Sequence, residues 1–386
     1  MSRKYYHMTN KFILFIILLL CVQAMTWSAD IGFVSPVYVK SISEPYERYN
    51  DINPSWSHAS EYISFERYDA LSHEIVVVDT DGKLVKNIST KTSPDVELSE
   101  LLPELSDSTH FSFNMHWATN SDSFVFVSNG KTDNFDIYSG DIADTTIHRL
   151  TTHNAIDNQV HWAPNTKQLA FISSRQGKAG LMLYNFATKK VSPALSGNYD
   201  VLNPVWSPTG DKIALMIGDS NRFQIYVIDD IKNADSSLRA ITNFPHRNNI
   251  RPSWSPDGKH LAFFSIDINQ DSNLAWQLLV VDANNNSQIS KNSIQKHILS
   301  DHVIQNSVYG PCWLPDNKHI AYIQYIDDSY NPIHIVNTKN KKQGLVITNT
   351  KINRDLSCSP SGMLAFQSQD KQWSRIFIAK LPGYAS

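Results

Sequence analysis

The chain says nearly the same thing more than once. The stretch NPVWSPTGDKIALMI, residues 203–217, returns as RPSWSPDGKHLAFFS, residues 251–265. Alignment on tryptophan extends the series to Trp56, Trp117, Trp162, Trp206, Trp254 and Trp313, and a seventh unit, LSCSPSG, places Cys358 at the tryptophan position. Seven residues after each tryptophan comes a large apolar residue, then usually a small one, then usually an aromatic, as in Leu169-Ala170-Phe171 and Leu261-Ala262-Phe263. In the seventh unit the triplet Leu364-Ala365-Phe366 arrives one residue early. Periods of this length mean stacked modules rather than one irregular domain.

Each unit reads as strands. The runs are short, rich in β-branched and aromatic residues, and bounded by turn chemistry. In Ser255-Pro256-Asp257-Gly258 the proline presets φ, the aspartate bonds nearby backbone and the glycine accepts positive φ. A third run precedes Asp79, Asp229 and Asp282, and a weaker fourth fits residues 146–151, 238–243 and 345–349. Only residues 96–105, VELSELLPEL, hint at a helical turn. Four antiparallel strands per unit, repeated radially, predict an all-β fold, a β-propeller of seven blades, with six as the alternative if the second unit is decorative. The last unit runs out after its third strand, which would leave an open ladder edge. Residues 31–42, IGFVSPVYVKSI, are an orphan strand-like segment, and the expectation is that they complete the last blade and close the ring. The long gaps before Trp117 and Trp313 read as loop insertions, and residues 25–386 as a single domain acting as a monomer.

The first 24 residues read differently. Arg3, Lys4 and Lys11 precede the apolar run FILFIILLLCV, which is too short to span a bilayer comfortably and reads as a secretory signal cleaved after Ala24. The expectation is a protein exported to the periplasm, not integral to the membrane after cleavage. Removing those residues takes away three positive charges and moves the net charge from −3 to −6, which disfavours nucleic acid as a partner. Of three cysteines, Cys312 and Cys358 remain, too few for a disulfide scaffold. They stand one register step apart on adjacent inner strands. Converging blades would allow a bridge, but the reading is two buried free thiols.

The pattern P-x-W-S-P-D-G, then I/L-A-F, then I-Y-V-x-D, carried by residues 204–229 and 252–282, resembles the TolB-type propeller repeat. The resemblance covers roughly residues 51–379. The namesake of that family is a periplasmic protein of the Tol–Pal envelope system, with a separate domain before its propeller, and it binds a lipoprotein partner through the propeller. No comparable stretch precedes the first unit here, so the resemblance implies the fold and a protein-binding face but transfers no contact residues. Related propellers precede serine peptidase domains, yet no Gly-x-Ser-x-Gly elbow occurs in this sequence.

Few constellations carry chemistry. His116 and His161 each precede a tryptophan in adjacent units, and two imidazoles at one height could bind a transition metal. Two donors fall short of a three-ligand site, and the reading is structural histidine with side chains directed at neighbouring blades. Asp267-x-Asn269-x-Asp271-x-Asn273 mimics half of a calcium loop but lacks its glycine and its bidentate acid. The function expected is therefore non-enzymatic: a module without cofactor that binds a protein or envelope component through one propeller face. The alternative is a metal-assisted lyase or hydrolase acting on acidic glycans at the axial site.

Overall fold

A computed structural model describes residues 32–383 apart from 44–48, 69–72, 89–110, 120–121, 131–133, 196–198, 220–221, 270–275, 285–292, 307 and 371–372. The secretory signal, the helical hint at 96–105 and most of the calcium-like loop lie outside the described residues.

The repeat becomes seven antiparallel sheets, one per unit. In blade 4 the strands are Asp200–Trp206, Ile213–Asp219, Arg222–Ile228 and Leu238–Ala240, hydrogen-bonded in that order from hub to rim. Blade 5 repeats this with Arg247–Trp254, His260–Asp267, Gln277–Asp282 and Ile298–Ser300. Blade 2, weak in sequence, is complete: its inner strand Ser112–Trp117 is followed by three more, which settles the count at seven. The turn chemistry is as read. The N–H of Gly258, at φ +69°, donates to the Ser255 carbonyl at 2.8 Å, and Gly210 does the same to Ser207 at 2.9 Å. Short helical turns at Ala234–Ser237 and Ile294–His297 lead into two outer strands, and both escape a reading based on periodicity.

Packing lies between blades. The second-strand triplets are sealed: Leu261, Ala262 and Phe263 are fully buried and share one cluster with Met216, Ile225 and Val227 of blade 4. Each such large side chain contributes roughly 1.5–3 kcal/mol relative to exposure. The alanine lets the sheets approach.

The ring closes as expected, with one addition. Tyr38–Ser41 pairs antiparallel with Trp373–Lys380 and becomes the fourth strand of blade 7. Just upstream, Phe33–Val34 pairs in parallel with Gln343–Val346, the outer strand of blade 6. One short segment therefore joins two blades. The parallel pair was not foreseen, since two residues leave no periodic signal.

At the hub the same two blades are joined covalently. Cys312 and Cys358 form a disulfide with Cα atoms 5.6 Å apart, which corrects the expectation of free thiols. Sheets that stand about 10 Å apart in a flat sandwich converge toward a propeller axis, and there the separation suits a bridge.

Candidate functional site

Three residues before each tryptophan position the inner strand breaks register. The residues there, Asn53, Asn114, Gln159, Asn203, Arg251 and Asp355, hold φ between 46° and 55°. Such a bulge bends the strand and re-aims its side chains. Asparagine tolerates the left-handed region best, and it fills three of these places. Blade 6 has Gly310 at this offset, where a Cβ would come within 2.6 Å of the Arg251 carbonyl.

Blade 6 departs further. Its inner strand is split into Val303–Ile304 and Cys312–Trp313, so that residues 305–306 and 308–311 stand where other blades carry one or two bulged residues. This axial insertion crosses the hub. The Tyr309 hydroxyl donates to the Met115 carbonyl of blade 2 at 3.0 Å, and the Asn306 side-chain amide donates to the Leu356 carbonyl of blade 7 at 3.2 Å. Burial, with the Glu66 carboxylate nearby, pushes the Tyr309 phenol well up.

Beneath the insertion lies a cavity of about 590 Å³. Its walls are the inner-strand ends, with Trp162, Trp206, Trp254 and Trp313 among them, and its rim is the first turn of each blade, including Pro164, Pro208, Pro256, Pro315 and Pro360. Val308, Tyr309 and Gly310 lie at the far end. The channel is thus a pocket that opens toward the first-turn face. On the opposite face Phe111, Ile156, Tyr199 and Ile268 are exposed singly, on separate blades.

His116 and His161 line the cavity, as do Val205, Ser253, Cys312 and Ser357 of the same row. The expectation is that this row points largely at neighbouring blades; near the axis the wedge narrows and these residues line the cavity. The two imidazole centroids are 3.8 Å apart, and the backbone N–H of Trp162 donates to His116 Nδ1 at 3.3 Å. Desolvation lowers His116 to about 4 and holds His161 well below its usual value, with the charge of His116 acting in the same direction. Both are therefore neutral at pH 7. As a metal site the pair lacks partners: among the described residues no group of three His, Cys, Asp or Glu side chains is placed to share an ion. A catalytic metal needs three protein ligands.

The tryptophans make a partial ladder around the ring. The indole N–H of Trp254 donates to the Val205 carbonyl at 3.0 Å, Trp313 to Ser253 at 3.3 Å and Trp117 to Ser55 at 3.3 Å. Those of Trp56, Trp162 and Trp206 are buried without a partner among the described residues. Two of these, Trp162 and Trp206, follow the blades that carry the histidines.

The PD40 family, described as the TolB beta propeller domain, matches residues 104–296 and 178–385. The chain belongs to the TolB β-propeller family. Within that family it is 35% identical over 142 residues to a Protein TolB homolog of Chlorobium chlorochromatii, covering 36% of this chain and 30% of that one. It is 30% identical over 140 residues to the Tol-Pal system protein TolB of Nitratidesulfovibrio vulgaris, covering 36% and 27%. The matched part thus spans under a third of those relatives. Among solved structures, this TolB-type propeller superposes on an oligogalacturonate lyase from Vibrio parahaemolyticus with a TM-score of 0.62 and 11% identity, covering 90% and 94% of the two chains. A puromycin-hydrolyzing peptidase of Mycobacterium tuberculosis gives 0.60 at 10% identity, covering 87% and 53%. At such identities the likeness is one of fold.

The bulge residues and the axial insertion were missed from sequence. Asparagine three residues before tryptophan in three units was the available signal for the first. Among the described residues no helix is long and apolar enough to cross a membrane.

Proposed function

We propose that this TolB-type propeller is an exported, non-enzymatic module that binds a protein component of the cell envelope at its first-turn face. The pocket carries the reading: the first turns of the blades form its rim, and the prolines and indoles among its lining suit burial of an apolar anchor from a partner. Export draws support from the leader-like start of the sequence and from the Cys312–Cys358 bridge, since disulfides persist in oxidising compartments. A role in envelope assembly draws support from relatives named as Tol-Pal system proteins.

Affinity capture from envelope extracts tests this, with wild-type chain and a Pro208→Arg/Pro256→Arg double variant in parallel. The reading expects a partner retained by the first and lost by the second, with unchanged thermal unfolding. Equal capture by both would place binding elsewhere. Metal analysis of the purified chain separates the lyase alternative: stoichiometric metal that disappears with His116→Ala/His161→Ala would favour it.

A further inference from the structure

Arg251 is the cation in a row otherwise made of amides, an acid and a glycine. It sits in blade 5 at the axial bulge, at φ +55°, and lines the pocket. Left-handed backbone costs a non-glycine residue on the order of 1 kcal/mol, and here it belongs to the bulge that the blades share rather than to the arginine. Among the described residues its guanidinium makes no hydrogen bond and no ion pair. Only its backbone N–H is engaged, with the Met216 sulfur at 3.3 Å. Asp355, at the matching bulge of blade 7, acts on it electrostatically. Two arginines at the ends of second strands are satisfied by aspartates at the starts of inner strands: Arg67 bonds twice to Asp51, and Arg175 twice to Asp157. Arg251 is half-buried and its guanidinium still meets solvent in the pocket, so an entering anion would displace water from it rather than break an internal pair.

The surroundings define that anion. The wall beside Arg251 is apolar and aromatic, with Trp206, Trp254 and Trp313, and the cavity of about 590 Å³ has the size of a small-molecule site. His116 and His161, neutral and close together, add polar atoms without charge. Gln159 is engaged, its side-chain oxygen accepting the Asn203 N–H at 2.7 Å, and the Ser253 hydroxyl donates to Pro311 at 2.7 Å, so neither competes for the guanidinium.

We infer that the axial pocket binds a small organic acid, its carboxylate paired with the Arg251 guanidinium and its body against the tryptophan wall. A planar fork accepts a carboxylate bidentately, and aromatic walls favour a ring-shaped or apolar body over a bare ion. This goes beyond partner binding at the rim and is tested on the purified chain alone, so either idea can fail without the other.

The experiment is calorimetric titration of the full chain with benzoate and with glucuronate, against the neutral counterparts benzamide and glucose, and against inorganic phosphate. At least one acid is expected to bind at sub-millimolar concentration, with its neutral counterpart and phosphate each weaker by about tenfold or more. Arg251→Asn, which suits the backbone angle, is expected to lose about tenfold or more in affinity at an unchanged thermal midpoint. Arg251→Lys keeps the charge but not the fork and is expected to fall between; it carries the same test should Arg251→Asn not fold. Absence of acid binding at millimolar concentration, equal binding of acids and neutral counterparts, phosphate binding as tight as either acid, or wild-type affinity in both variants would each overturn the inference.

Discussion

The hydroxyl of Tyr309, on the insertion in blade 6, donates to the Met115 carbonyl of blade 2 at 3.0 Å, across the hub of the ring. Propeller blades normally touch only their neighbours. This contact couples two that are not adjacent, and it crosses the channel where Tyr309 lines the pocket. Tyr309→Phe removes one hydrogen bond and leaves a carbonyl facing the pocket, so a loss of about 0.5–1.5 kcal/mol is expected by urea unfolding. Tyr309→Ala should cost more.

The disulfide should matter, but less than its loop suggests. Cys312 and Cys358 are separated by 46 positions, and an isolated crosslink of that span contributes about 4 kcal/mol in the chain-entropy account. Residues 33–41 already tie blades 6 and 7 together at the rim, which limits the freedom the bridge removes. Cys358→Ser is expected to cost about 2–4 kcal/mol in denaturant unfolding under oxidising conditions. Under reducing conditions it should match the wild type.

Stability should fall in mild acid. His116 sits at about 4 in the folded chain against 6.5 unfolded, so the unfolded chain takes up more protons between those values. The contribution is present above pH 6.5 and is lost as pH falls toward 4, with His161 continuing the trend below. About 1–3 kcal/mol is expected from the pair, reduced from the full linkage value because both rings meet the pocket. Urea midpoints at pH 7 and pH 4.5 measure it, and His116→Asn should flatten the slope.

The tryptophan ladder predicts a difference within one residue type. Trp254→Phe loses ring volume and a 3.0 Å hydrogen bond to Val205, whereas the buried indole N–H of Trp206 has no partner to lose. Trp254→Phe should therefore cost about 1 kcal/mol more than Trp206→Phe in thermal or urea unfolding.

What the sequence revealed follows from where its constraints are local. Each Trp, with its triplet seven residues on and a short polar turn between them such as Ser255-Pro256-Asp257-Gly258, encodes a strand-turn-strand that must bury its faces on copies of itself, and a closed ring of blades follows. The site was less legible. A bulge is one or two residues wide, so nothing but the asparagines at 53, 114 and 203, three places before a tryptophan, marks it in the sequence. The gap before Trp313 reads equally well as a rim loop or an axial insertion, and the structure places Asn306 and Tyr309 at the hub. The direction of His116 and His161 depends on how sharply the wedge narrows, a property of the closed ring rather than of either strand. The Cys312–Cys358 distance depends on the same narrowing.

The most direct measurement of the account is site-specific photocrosslinking of the chain in its native host. A photoreactive residue is placed at Thr209, on the first-turn rim, or at Tyr199, exposed on the opposite face. The account predicts a discrete protein adduct from position 209 and none from position 199. Adducts from position 199 alone, or equally from both, would contradict a binding face set by the open end of the axial pocket.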